Sequence, residues 1–213
     1  MRRKPNLLPR LARCSERMLS AAEAPRGEWL SAFPGFDAVH AELGCGKGLF
    51  IRASAKAYPR TLFVGIERVA DALVIAAERV TDSELRNVRL MLEEAACLPS
   101  VFAPGELSRL YINFCDPWPG KKRAKRRLTS DSFLALYKTV LAPGGDIRFK
   151  TDNTALFDFS LERFEALGFA LSDITRDLHG EDGSIGVIMT DYETKFHSQG
   201  VKICACTATP PQE

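Results

Sequence analysis

Residues 38 to 48 read AVHAELGCGKG, and this stretch decides the fold class. Ala38 to Leu43 is an apolar run broken only by His40 and Glu42, which reads as a buried strand. Gly44, Gly46 and Gly48 then form a turn, and Leu49 to Ala57 reads as a helix. Glycine suits such a turn because it takes backbone angles closed to other residues and lets a ligand approach the main chain. The turn alone has low specificity, because any tight strand-to-helix connection favours glycine. In the dinucleotide fingerprint the spacing is GxGxxG, with a pyrophosphate on the helix N-terminus. Here the spacing is GxGxG and an acid, Glu42, precedes it. An acid there fits a cationic ligand such as S-adenosylmethionine, with its ammonium and sulfonium groups, better than a pyrophosphate.

The pattern repeats along the chain. Thr61 to Ile66 is a second strand, ending at Glu67, and Val69 to Val80 has helical periodicity with Ala72, Leu73, Ala76 and Val80 on one stripe. Val88 to Leu92 is a third strand, ending at Glu93 and Glu94. Arg109 to Phe114 is a fourth. Ser130 or Asp131 caps a helix through Leu141, which Pro143, Gly144 and Gly145 terminate. Asp146 to Lys150 is a fifth strand, Ala155 to Leu167 a helix, and Ala170 to Ile174 and Val201 to Cys206 two further strands. Alternating strands and helices predict an α/β fold with a doubly wound, mostly parallel seven-stranded sheet and helices on both faces.

Ligands of such sheets bind outside the carboxyl ends of the strands. The informative residues fall at those ends: the glycines, Glu67, Glu94, Asp116 and Asp152. A carboxylate at Glu67 can accept from both hydroxyls of a ribose, and one at Glu94 from the exocyclic amine of adenine. Spacing does not choose between Glu93 and Glu94.

The fourth strand runs into YINFCDPWPGKKRAKRRL, residues 111–128. Asp116 is held between Cys115 and Pro117, Trp118 and Pro119 follow, and six cations occupy residues 121–127. An acid, an aromatic plane and a basic patch at one strand end suit an enzyme acting on a base within a nucleic acid. Trp118 either stacks on a base or packs under its loop.

The charge distribution agrees. The chain has 29 Lys+Arg and 27 Asp+Glu, a net charge of +2. Residues 1–13 carry five cations and residues 121–127 six, with no acid in either, so these two segments hold +11 and the remainder −9. An acidic body with two basic segments is a pattern for docking on phosphate rather than a solvated helix face.

At 213 residues with 46% hydrophobic content, one soluble domain is expected. Residues 1–30 lack periodicity and read as a basic, mobile arm, residues 31–206 as the domain, and residues 207–213 as a flexible tail. No apolar run reaches the ~20 residues of a membrane span, and the N-terminus lacks a secretory h-region. Six cysteines without a CxxC pair and three histidines predict no metal site and a reduced, cytoplasmic setting. His179 and His197 read as surface residues.

From about Trp29 to Ile203 the chain resembles the bacterial tRNA (guanine-N7)-methyltransferases. The resemblance rests on ELGCGKG, on GIE ending at Glu67, on NVRLMLEEA, NFCDPWPGKKRAKRRL, GGDIRFKTDN and MTDYETKF. The block from Asp116 to Leu128 is its most specific part. It implies a class I fold, S-adenosylmethionine as methyl donor, and tRNA as partner with the variable-loop guanine (position 46) as acceptor. It implies that Glu42, Glu67 and Glu94 contact the cofactor and that Asp116 is the catalytic acid. It also implies that Asp152, Thr190, Asp191, Tyr192 and Glu193 bind the guanine or its surroundings. Two positions depart from the family pattern. Glu94 stands where aspartate is usual, and Gly120 stands where a substrate-contacting lysine is usual, with Lys121 one place later.

Three other readings compete. A nicotinamide-dependent dehydrogenase lacks support, because the third glycine of its fingerprint and a proton-relay pair are missing. A non-catalytic RNA-binding module is compatible with the basic block, but acids at the strand ends argue for a working pocket. A methyltransferase for another RNA differs only in substrate.

Overall fold

The computed structural model describes residues 6–180, 188–190, 192–193 and 199–211. Seven strands form one sheet: β1 (Ala38–Leu43), β2 (Thr61–Ile66), β3 (Val88–Met91), β4 (Leu107–Asn113), β5 (Leu141–Thr151), β6 (Ala170–Thr175) and β7 (Cys204–Thr209). Their order is β3-β2-β1-β4-β5-β7-β6. The first five are parallel, and β7 runs antiparallel to both β5 and β6. The order reverses between β1 and β4, so the crevice above their carboxyl ends is the expected ligand site.

Strand alternation divides the core. Val39, Ala41 and Leu43 of β1 join Leu110 and Ile112 of β4 on one face, against α6 (Asp131–Val140) and α7 (Thr154–Ala166). On the other face Phe63, Leu90 and Tyr111 meet α3 (Leu49–Ala57) and α4 (Ala70–Asp82). Both α3 and α4 lie directly after a strand and bury one stripe, Phe50, Ile51, Ser54 and Ala55 in α3, and Leu73, Val74, Ala76, Ala77 and Val80 in α4. Asn153 caps α7, its side-chain oxygen accepting from Leu156 N at 2.8 Å.

Three expectations need correction. Helix α6 ends at Val140, and β5 already begins at Leu141 rather than Asp146. Leu141 pairs with Leu107 and a bulge follows; at Gly145 a side chain would lie 2.9 Å from Ala142 O and 3.1 Å from Leu107 O, so glycine lets the strand continue. The last strand is displaced toward the C-terminus, and Thr207 and Ala208, expected in the tail, are buried between β5 and β6.

The third concerns the arm. From residue 6 onward it is packed against the body. Helix α1 (Leu7–Arg13) lies on α4, where Arg10 donates twice to Glu78, at 2.7 and 2.6 Å. Leu19 N then donates to Leu90 O at 3.0 Å, and a parallel bridge joins Met18 to Leu90 at the sheet edge. This covers the outer strand β3. Trp29, at the start of α2 (Trp29–Ala32), is fully buried and donates to Val101 O at 2.9 Å. Val101 ends α5 (Leu98–Val101). Among the described residues no helix is long and apolar enough to cross a membrane.

Candidate active site

A cavity of about 680 Å3 lies over the carboxyl ends of β1, β2, β3 and β4. Leu43, Gly44, Glu67, Glu94, Asn113 and Asp116 all line it, so one cleft gathers the ends of four strands. The volume is that of a small-molecule site, within the range of about 300–1,000 Å3.

The glycine turn forms one wall. Gly44, Gly46 and Gly48 all have positive φ, between 55° and 75°. At Gly44 a side chain would meet nothing of the chain within 4 Å, so the main chain there is open to a ligand. Gly48 is excluded from substitution by packing: an added Cβ would lie 2.7 Å from the Cβ of Ala76.

Glu67 is buried and anchors the turn, accepting from Gly46 N at 3.0 Å and Val69 N at 2.8 Å. A carboxylate offers about four lone-pair sites, so two remain for a ligand. Glu42 is buried one layer beneath the wall and accepts from Asn113 Nδ2 at 2.9 Å. It does not line the cavity; Asn113 does. A carboxylate only accepts, so this bond fixes the amide orientation and leaves Asn113 Oδ1, buried and without a partner, as an acceptor. Sequence motifs alone do not single out Asn113. Glu93 and Glu94 both line the cavity, but Glu93 accepts from Ala21 N at 3.3 Å, whereas Glu94 is exposed to the cleft.

The loop after β4 is held in an unusual conformation. Phe114 and Trp118 have left-handed backbones, with φ of 51° and 40°. Phe114 N donates to Lys150 O at 2.9 Å. Arg127 donates to the carbonyls of Pro117 at 3.0 Å and Trp118 at 3.2 Å, with its guanidinium over Phe159. Arg127 is therefore a clamp on the loop and not one of six equivalent surface cations. The other five, on the short 3-10 helix Lys121–Arg126, are exposed. Lys125 and Arg126 reach the cavity, and Arg126 lies 5.0 Å over the Trp118 ring; Lys121 does not line the cavity.

Asp116 stands exposed at the mouth, where Arg68 donates to it at 3.0 Å. Burial, with the Asp116 charge beside it, pushes the neighbouring Cys115 thiol up to about 12, so it is protonated at neutral pH and unsuited to nucleophilic attack.

Thr190, Tyr192 and Glu193 do not line this cavity, and of the three Tyr192 adjoins it, through Phe114. Tyr192 stacks near Phe114, ring centroids 4.9 Å apart, and donates its hydroxyl to Asp152 at 3.0 Å. Thr190 and Glu193 bind each other's backbone, Thr190 N to Glu193 Oε2 at 2.8 Å and Glu193 N to Thr190 Oγ1 at 3.0 Å. Glu193, expected to face a substrate, is instead 0% exposed. Lys150 Nζ at 2.7 Å and His179 Nε2 at 3.2 Å enclose its carboxylate. His179 is likewise interior, correcting the surface reading. Asp191 and His197 lie outside the described residues.

Comparisons with known proteins give the family. A family model described as putative methyltransferase matches residues 37–206. The chain is 44% identical to a tRNA (guanine-N(7)-)-methyltransferase of Geobacillus thermodenitrificans (strain NG80-2), over 100% of this chain and 99% of that one. It is 42% identical to the protein of the same name from Bacillus subtilis (strain 168), over 95% of each. Among solved structures, the 16S rRNA methyltransferase KamB superposes with a TM-score of 0.66 at 17% identity, covering 89% of this chain and 95% of that one. The 16S rRNA (adenine(1408)-N(1))-methyltransferase from Catenulisporales acidiphilia gives a TM-score of 0.60 at 16% identity, covering 87% and 93%. These two likenesses establish the shared fold.

Proposed function

This chain belongs to the tRNA (guanine-N(7)-)-methyltransferase family, and on that premise we propose that it transfers a methyl group from S-adenosylmethionine to N7 of the variable-loop guanine (position 46) of tRNA. The observation that carries the reading is the single cleft that joins the glycine turn, Glu67 and Glu94 to Asp116 and to the cations Lys125 and Arg126. A pocket of small-molecule size, an acid and two exposed cations lining one cleft support that reading.

The residues present fit the donor. Asn113 Oδ1 is a buried acceptor without a partner, suited to an ammonium group and backed by the Glu42 charge. Glu67 retains lone pairs for ribose hydroxyls, and Glu94 is placed to accept from the adenine amine. Gly44 leaves the main chain open to close approach. S-adenosylmethionine supplies a methyl group already activated on a sulfonium, and guanine N7 has an in-plane lone pair, so no base is needed.

The protein's work is then to hold the guanine and stabilise the positive charge that develops on its ring. Asp116 does both: its carboxylate accepts from the guanine donor edge and lies beside the ring as it becomes cationic. Asp152, bridged by Tyr192, supplies a second acceptor. Thr190 and Glu193 hold the backbone on either side of the residue before Tyr192, and the resemblance assigns Asp191 to the substrate as well. The exposed cations of residues 121–126 hold tRNA phosphates; Lys125 and Arg126 are nearest the cleft, and Lys121 binds farther out. The six free thiols suit a cytoplasmic enzyme.

The test is transfer of labelled methyl from S-adenosylmethionine to bulk tRNA, followed by nucleoside identification. N7-methylguanosine is expected. Transfer to another nucleoside, or tRNA binding without transfer, would overturn the reading.

A further inference from the structure

Helices α3 and α4 pack over β2 and β3, and the same face of the sheet beyond them carries polar side chains from β4, β5 and β7. A second cavity, about 320 Å3, opens there between α3 and Ile188. Asn113 forms the wall it shares with the first; Glu67, Glu94 and Asp116 do not line it.

The charges around this cavity are matched. Arg109 donates to both oxygens of Asp146, at 2.6 and 2.8 Å. Arg148 reaches Asp146 at 3.4 Å and Asp173 at 3.3 Å, and Lys150 binds Glu193 at 2.7 Å. Three cations face three carboxylates, so the cavity offers no net charge to a guest, and a phosphate or a metal ion is not what it fits.

Three buried atoms remain without a hydrogen-bond partner: Ser54 Oγ, Asn113 Oδ1 and Arg148 Nε. Ser54 is 1% exposed and Asn113 7%. Unmade buried hydrogen bonds cost about 1–3 kcal/mol each, and three around one void call for an occupant. They present one donor, one acceptor and one hydroxyl that serves as either. The rest of the lining is mostly apolar, with Phe50 and Tyr111 edge to face at 4.9 Å. Tyr58, 52% exposed, marks the mouth.

We propose that this cavity is a second ligand site that takes a neutral, planar nitrogen heterocycle of nucleobase size. Its ring lies against Phe50 and Tyr111, a ring or carbonyl acceptor faces Arg148 Nε, an N–H faces Ser54 Oγ, and Asn113 Oδ1, whose other lone pair serves the ammonium group of the first cavity, completes the set. The site goes beyond methyl transfer and stands independently of which RNA base is methylated.

The test titrates hypoxanthine into the full chain saturated with S-adenosylhomocysteine, which fills the first cavity. Calorimetry and the NMR signals of the Ser54 amide and the Arg148 Nε–H are followed. One saturable site is expected, with a Kd below about 1 mM, perturbing both signals. Ser54→Leu fills the cavity and is expected to weaken hypoxanthine by at least about tenfold while S-adenosylhomocysteine affinity holds. Ala205→Leu, from β7, makes the same test if the helix does not tolerate the first change. Absence of saturable binding, perturbation of Glu67 and Glu94 instead, or an unchanged Kd in the filled variants would overturn the proposal and leave ordered water as the occupant. Failure to bind S-adenosylhomocysteine would count against the cofactor reading alone, and the hypoxanthine titration is then run without it.

Discussion

Arg68, the residue after Glu67, donates to Asp116 at 3.0 Å, so the acid at the end of β4 is tied to the end of β2 across the cleft. Both side chains are more than half exposed. Exposed ion pairs contribute about 0–1 kcal/mol, so a guanine can displace this contact at little cost. Arg68→Ala is therefore expected to change the KM for tRNA by less than about fivefold. Asp116→Ala removes the group proposed to lie beside the developing charge and is expected to lower kcat by at least about 100-fold, with S-adenosylhomocysteine affinity and melting temperature unchanged. Calorimetry and single-turnover transfer check both; an unaltered kcat would exclude the role given to Asp116.

The cations of residues 121–127 divide into two kinds. Lys121 and Lys122 are exposed, while Arg127 is spent on the carbonyls of Pro117 and Trp118. Each phosphate that is no longer neutralised reduces the salt slope of tRNA binding by about 0.7–0.9. Lys121→Ala with Lys122→Ala should flatten that slope by one to two such steps. Arg127→Ala should leave the slope unchanged and lower kcat, because the loop that carries Asp116 loses its clamp. A flat slope in the parent protein would rule out the phosphate role.

This division shows where the sequence stops being legible. The strands were readable because parallel, doubly covered strands are short apolar runs, and the polar residue that ends each run marks the cleft. A run of cations, by contrast, does not reveal which member turns inward, since that depends on carbonyls nine and ten residues away and on Phe159. Glu193 read as a substrate contact because its partner Lys150 lies 43 residues earlier. Trp29 and Arg10 gave no periodicity because each is held by partners far away in the chain, Trp29 by Val101, Phe102 and Glu106 and Arg10 by Glu78. Asn113 carried no motif: alternation puts it on the face of Tyr111, but only the strand register, which pairs Tyr111 with Glu42, brings it to that acid.

The glycine turn separates backbone strain from packing. Gly44 and Gly48 have nearly equal φ, 72° and 75°, so alanine at either costs roughly 1–2 kcal/mol in backbone energy. At Gly48 the new methyl also lies 2.7 Å from the Cβ and 3.0 Å from the Cα of Ala76. Gly48→Ala is expected to lower the melting temperature more than Gly44→Ala. The Gly44→Ala methyl enters the cleft instead, so that variant should show the larger loss of S-adenosylhomocysteine affinity relative to its loss of stability. Paired thermal melts and calorimetry decide it, and equal losses of both quantities would refute the division.

His40 imposes an acid limit on stability. Burial, helped by the Arg109 charge, lowers its pKa from 6.5 to about 4, with Asp146 opposing and the Tyr111 hydroxyl 3.5 Å away. Above pH 6.5 the ring is neutral in both folded and unfolded chains and contributes no slope. Between pH 6.5 and about 4 the unfolded chain takes up a proton that the folded chain refuses, so stability falls as pH falls. At 1.36 kcal/mol per unit the full loss approaches about 3 kcal/mol, reached below the folded value. His40→Gln loses the ring contact with Phe63, centroids 5.4 Å apart, and should be less stable at neutral pH. Its stability should nevertheless decline less than the parent's on acidification, and the two curves should converge toward pH 4. Urea unfolding at half-unit pH steps measures this; parallel curves would mean that His40 is protonated in the folded chain.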